Sequence, residues 1–282
     1  MNIKRVGVIG AGTMGSGIAH VCATFGMHVT LVDVSEAAVE RGMAALSEGF
    51  SRHEKKGNLT TEQKLEALSR VRGSTRYEDV KDAHIVIETA TENPKIKFEI
   101  LRQIEEVVAH DALIGSNTSS ISITQMAAVL RHPERFIGLH FFNPVPAMTL
   151  VEVIRGVKTS DETHLQTMSF ANAIGKSPIS VLNSPGFVVN RILCPMVNEA
   201  IFAVQEKLGT LDDIDAAMQI GGGHPIGPLR LADLIGLDVL LAIMEVLQAS
   251  FGDSKYRPAL LLREMVQAGQ LGRKTGQGFF AY

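Results

Sequence analysis

The chain has 282 residues, 45% of them apolar, with no glycine, proline or low-complexity excess. That length supports a large core and two domains, and the composition excludes a disordered protein. A formal net charge of −3 leaves no electrostatic footprint for nucleic acid or an anionic membrane surface.

The opening stretch MNIKRVGVIGAGTMG runs straight into a short strand and a glycine loop, unlike a secretory signal. Lys4–Gly10 predicts a strand, Met14–Phe25 a helix, and His28–Asp33 a second strand. Ser35 then caps a long helical stretch whose end carries Arg52, Lys55 and Lys56. AHIVIETA, ALIGS and FIGLH read as short buried strands, each followed by polar or helical sequence. Strands alternating with helices imply an α/β fold with a doubly wound, parallel sheet of Rossmann type. After SPISVLNSPGF the strand signal stops. From Phe187 onward the pattern is almost wholly helical, broken at GGGHPIGP. The boundary falls near Asn183–Gly186, giving a nucleotide-binding domain over residues 1–184 and a helical substrate and dimerisation domain over 185–282. No apolar run reaches membrane-spanning length, since Asp233, Asp238 and Glu245 interrupt the most apolar one. Cys22 and Cys194 lie in apolar contexts without redox or metal spacing, and no His/Cys/Asp cluster suggests a metal. A soluble, cytoplasmic protein with buried, reduced thiols is expected.

The loop Gly10-Ala11-Gly12-Thr13-Met14-Gly15 has the spacing GxGxxG, follows a strand and opens a helix. In that context Gly10 permits the tight turn, Gly12 lets backbone approach a pyrophosphate, and Gly15 lets helix and strand pack closely. The next strand ends in Asp33, where a carboxylate accepts hydrogen bonds from ribose hydroxyls and repels the extra phosphate of NADP. NAD is therefore the expected cofactor. Asp33 could alternatively be a helix cap beside Ser35.

Ligands of open parallel sheets bind beyond the carboxyl ends of the strands. The polar residues there are Glu92 and Lys97, then Asn117-Thr118-Ser119-Ser120, then His140 and Asn143. His140 and Glu152 stand equally far from Pro146. If the segment folds back on itself, the carboxylate holds one ring nitrogen, fixes the tautomer and favours the protonated ring. The alternatives are a structural histidine and an edge-strand surface carboxylate.

GAGTMG, SNTSS, GLHFFNPVPAMTLVEVIRG, NSPGFVVNRILCPMVNEA, HPIGP and LGRKTGQGFF occur in this order along nearly the whole chain. Together they resemble the 3-hydroxyacyl-CoA dehydrogenase family, in its short, monofunctional form. The resemblance implies an NAD-dependent enzyme interconverting 3-hydroxyacyl-CoA and 3-ketoacyl-CoA, of short chain length, working as a homodimer through its helical domain. It implies His140 as general acid and base, Glu152 as its orienting partner, and Ser119 and Asn190 as substrate ligands. Glu92, Lys97, Asn117, Asn143 and Lys274 are then expected along the cofactor. It also implies a lysine contact to the CoA, which Lys55 or Lys56 could supply; an ordinary solvated helix end fits that basic run too. Two rivals stand beside this reading. One is a β-hydroxyacid dehydrogenase, which needs a catalytic lysine where this chain has Asn190. The other is a non-catalytic, crystallin-like NAD-binding protein, against which the His140–Glu152 pair argues.

Overall fold

The computed structural model describes residues 3–282; Met1 and Asn2, which begin the stretch read as leading into the first strand, lie outside the described residues. The chain divides into two compact units, the first ending at Asn183 and the second spanning Ser184–Tyr282.

In the first unit, the apolar run after Lys4 forms β1 (Arg5–Ile9), and the glycine loop leads into α1 (Thr13–Thr24). The chain returns through β2 (His28–Val32) to α2 (Glu36–Lys55), whose first turn Ser35 caps by accepting the Ala38 N–H. The long helical stretch ends at its basic run, as read, and a further helix follows. Gly57, at a positive φ of 73°, turns the chain, and Thr60 with Gln63 forms a capping box that starts α3 (Thr61–Ser69). A four-residue strand, β3 (Val71–Ser74), follows. Then come β4 (Ile85–Glu88), α4 (Pro94–Val107), β5 (Leu113–Ser116), α5 (Ile123–Ala127) and β6 (Phe136–Phe141). The unit closes with β7 (Leu150–Arg155), α6 (Asp161–Ala173) and β8 (Ser177–Leu182).

The eight strands form one sheet in the order β3-β2-β1-β4-β5-β6-β7-β8. Every neighbouring pair is parallel except β6 and β7, which run antiparallel. The antiparallel pair is the fold-back that the Pro144–Pro146 segment predicts. The core strands β1, β4 and β5 are apolar on both faces because helices cover both, and Val8, Ile85, Ile87 and Ile114 are fully buried.

The second unit holds α7 (Val189–Gln205), α8 (Leu211–Ile220), α9 (Pro228–Ile235), α10 (Leu237–Phe251) and α11 (Leu260–Gln267). Its core joins Val197, Ile201, Leu229, Leu240, Met244 and Leu262. Two buried aspartates organise its irregular segments. Asp215 accepts the backbone N–H groups of Leu229 and Arg230 at 2.7 and 3.1 Å, which caps α9 just after HPIGP. Asp233 accepts the N–H groups of Phe279 and Phe280 at 2.9 and 3.0 Å and the Tyr282 hydroxyl at 3.1 Å. Glycine is required beside both: a Cβ on Gly227 would stand 2.2 Å from Asp215, and one on Gly278 1.9 Å from Asp233. Among the described residues, no single helix is long and apolar enough to cross a membrane.

Candidate active site

The three loop glycines answer to three different constraints. Gly10 has a φ of 103°, and a Cβ there would stand 2.7 Å from the Ala90 backbone. A Cβ on Gly15 would meet the Gly10 carbonyl oxygen at 1.7 Å, so α1 can pack on the loop only without one. Around Gly12 a Cβ would meet nothing within 4 Å. That open space lies at the N-cap of α1, which no side chain caps and whose first turn has no acidic residue. Backbone N–H groups and the positive end of the helix dipole are left to an anion. The site thus fits the pyrophosphate of a dinucleotide.

Asp33 is doubly engaged. Its Oδ2 accepts the Ala11 N–H of the glycine loop at 2.7 Å, and its Oδ1 accepts the Val34 N–H at 2.7 Å. The carboxylate therefore ties the loop to the end of β2 and still offers lone pairs to a ribose. Thr89, just past β4, donates its hydroxyl to the Ile9 and Gly10 carbonyls and braces the loop from the other side.

Past β4 and β5 the side chains fall into two clusters. Deep in the sheet, Lys97 forms a short ion pair with Glu88, and the Ser116 hydroxyl donates to the same carboxylate at 2.7 Å. Both charged groups are almost wholly buried, at 1% and 0% exposure. Glu88 also accepts the Ala90 N–H at 2.9 Å, which fixes the turn leaving β4. Neither Glu88 nor Ser116 stands out in the sequence, because nothing local marks a strand-end carboxylate as the partner of a helix lysine nine residues on. Nearer the surface, Glu92 accepts the Thr118 hydroxyl at 2.7 Å, the Ser119 N–H at 2.8 Å and the Ser119 hydroxyl at 3.1 Å. Two of the expected site residues, Glu92 and Ser119, are thus in direct contact.

The Asn117 side-chain oxygen accepts the Phe141 N–H at 2.8 Å and binds the end of β5 to the end of β6. On β6, His140 lies in register with Glu152 of β7. Its Nδ1 is 2.7 Å from Glu152 Oε2, with the histidine 7% exposed and the glutamate fully buried. A cross-strand pair on one face brings the two Cβ atoms close enough for this contact without helping loops. Phe142 lies against the imidazole, with ring centroids 4.5 Å apart. A carboxylate on one ring nitrogen fixes the orientation of the ring, which is what an acid/base histidine needs.

Asn143 is exposed and joined to Pro144 by a cis peptide. Lys55 ends α2 and Lys56 is its C-cap; both are exposed, next to Arg52 and Glu54, which pair with Glu48 and Lys64. In the second unit, Asn190 lies in the first turn of α7 and is half-buried, and Lys274 bonds both carboxylate oxygens of Asp238 at 2.5 and 2.6 Å.

Comparison with known families shows which family the chain belongs to. Residues 5–184 match the NAD binding domain of 3-hydroxyacyl-CoA dehydrogenase, and residues 186–282 match its C-terminal domain. The chain belongs to the 3-hydroxyacyl-CoA dehydrogenase family. It is 50% identical over 280 residues to the 3-hydroxybutyryl-CoA dehydrogenase of Bradyrhizobium diazoefficiens, an alignment covering 99% of this chain and 96% of that one. It is 46% identical to the 3-hydroxybutyryl-CoA dehydrogenase of Clostridioides difficile, over 99% of each chain. The crystal structure of (S)-3-hydroxybutyryl-CoA dehydrogenase from Ralstonia eutropha superposes with a TM-score of 0.97 at 56% identity, covering 100% of this chain and 99% of that one. The dehydrogenase is an NAD-dependent oxidoreductase.

Proposed function

We propose that this 3-hydroxyacyl-CoA dehydrogenase acts on short chains, interconverting (S)-3-hydroxybutyryl-CoA and acetoacetyl-CoA, with His140 as its acid and base. The observation that carries the mechanism is the 2.7 Å contact between His140 and a fully buried Glu152. The chain-length reading rests on the relatives named for 3-hydroxybutyryl-CoA.

NAD supplies the hydride chemistry when bound. The chain's own residues manage the proton and the charge. In the oxidative direction, His140 Nε2 takes the proton of the substrate 3-hydroxyl; in reduction it returns one to the same oxygen. Glu152 holds Nδ1 and stabilises the imidazolium. The Ser119 hydroxyl turns from Glu92 to the 3-oxygen and helps bear its charge, a stabilisation of about 2–4 kcal/mol for one well-placed donor. Asn190 keeps the substrate-holding role that its motif implies. Along the cofactor we assign Gly10, Ala11, Gly12, Thr13, Met14, Gly15, Asp33, Glu92, Asn117, Asn143 and Lys274. Lys97 joins them by holding Glu88 and Ser116 at their strand ends. Lys55 or Lys56 meets the anionic CoA. A homodimer through the helical domain accounts for the exposed Leu208, Ile220 and Leu260 of that unit. The cytoplasm suits its two free, buried cysteines.

The test is an NADH absorbance assay against 3-ketoacyl-CoA esters of increasing length. The expected result is a maximal kcat/KM at four carbons. A maximum at long chains, or activity on the free acid alone, would contradict the proposal.

A further inference from the structure

Lys176 is a buried amine that the proposed chemistry does not use. It immediately precedes β8, is 7% exposed, and donates from Nζ to the Val145 and Met148 carbonyls at 2.5 and 2.8 Å. Both carbonyls belong to the loop over residues 142–149 that carries the chain from β6 to β7, and so from His140 to Glu152. Asn143 stands on the same loop. Burial holds the amine below the usual lysine range, with Cys22 opposing part of that shift. Burying a charge this way is unfavourable unless its donors are satisfied, and a methionine would fill the space without that cost. The two carbonyls are therefore the reason for a lysine here.

The loop is held from its other side by shape. Val145 is 2% exposed, and a Cβ on Gly17 of α1 would stand 2.9 Å from the Val145 Cβ. The segment is thus clamped between a cationic side chain and the bare backbone of the helix that follows the glycine loop. Next to the clamp lies a cavity of about 240 Å³ lined by Thr13, Ser16, His20, Arg52 and Asn143. The far end of the same loop is fixed by the ladder, where the Ser177 N–H donates to the Thr149 carbonyl at 2.8 Å.

We infer that Lys176 is a positioning residue, whose buried amine sets the 142–149 loop, and with it Asn143, relative to the His140–Glu152 pair. This rests on the catalytic role proposed for that pair. Lys176→Met keeps length and removes the donors. In the full-length protein, kcat with acetoacetyl-CoA should fall about tenfold or more, while the NADH Kd rises by less than about fivefold, since Asn143 is the one assigned cofactor residue on the loop and the glycine loop and Asp33 are untouched. Lys176→Gln, which restores an N–H donor, should recover part of the rate. Gly17→Ala pushes the same loop from the opposite side and should give the same kinetic signature, which decides the matter if Lys176→Met does not fold. A Lys176→Met enzyme with kcat and KM within about twofold of wild type would overturn the inference. So would a kcat that falls only with the folded fraction, or a silent Gly17→Ala in a case where Lys176→Met is unfolded. Wild-type activity, measured first, tests the functional reading separately. If it is absent, amide exchange decides the loop clamp: faster exchange over residues 142–149 in Lys176→Met supports it, and unchanged exchange refutes it.

Discussion

Asp33→Ala separates two tasks of one carboxylate. The first is structural: its Oδ2 holds the Ala11 N–H at 2.7 Å, and so the glycine loop, whichever cofactor binds. The second is the selective role proposed for it, in which the remaining lone pairs would accept the adenosine ribose hydroxyls of NAD and repel the phosphate that replaces one of them in NADP. Loss of the ribose bonds removes about 1.5–3 kcal/mol for hydrogen bonds to a charged group, or ~10- to 100-fold in Kd. Orphaning the Ala11 N–H loosens the loop and adds a loss common to both cofactors. For NADPH the removed repulsion offsets that common loss. NADH affinity should therefore drop ~10- to 100-fold and NADPH affinity much less, with the chemical step little changed. Titrating both cofactors into wild type and variant by fluorescence reads this directly. An equal loss for NADH and NADPH would falsify the selective role and leave Asp33 as a loop brace alone.

Glu152→Gln keeps the shape of the pair but removes its charge, so kcat should fall about 10- to 100-fold with KM little changed; an unchanged kcat would make Glu152 merely structural. His20 is 3% exposed, stacked on Phe50 with ring centroids 3.9 Å apart, and its pKa is lowered from 6.5 to about 4, by burial first and then by His53, Arg52 and Lys176. Such a histidine stabilises the fold above about pH 6.5, and its contribution is lost as pH falls towards about 4. Between neutral pH and pH 5 it should account for about 2 kcal/mol of lost stability. Urea unfolding of His20→Phe should show a smaller loss over that range, and an identical pH dependence would rule the group out. Asp233→Ala orphans three donors in the second unit and should destabilise it by about 3 kcal/mol or more. Thermal unfolding checks this, and a shift under about 2 °C would contradict it.

The sequence carries the first unit well where its signals are local. Strand–helix alternation, the glycine loop and the Ser35 cap are all short-range patterns. The equal spacing of His140 and Glu152 about Pro146 gives their register directly, because an antiparallel pair has a fixed centre. β3 escapes because VRGS at the sheet edge has one buried apolar residue and no alternation to read. α3 escapes because the segment after Gly57 is short and mostly polar, so only Gly57 and the Thr60 box mark its start. Long-range partners are least legible. The Glu88–Lys97–Ser116 cluster, the Glu92–Ser119 contact and the aspartates beneath HPIGP and GRKTGQGFF each join residues that no sequence period connects. Those last two motifs look functional in sequence, and in the structure their glycines make room for Asp215 and Asp233.

The central claim is that His140 moves the proton in an NADH-linked reduction of a 3-ketoacyl-CoA. Its most direct test is the kcat of His140→Ala with acetoacetyl-CoA beside its NADH Kd. Proton transfer by a placed side chain contributes about 10²–10⁴-fold, so kcat should fall by that factor while NADH binding stays near wild type. A variant retaining more than about half of the wild-type kcat would contradict the account.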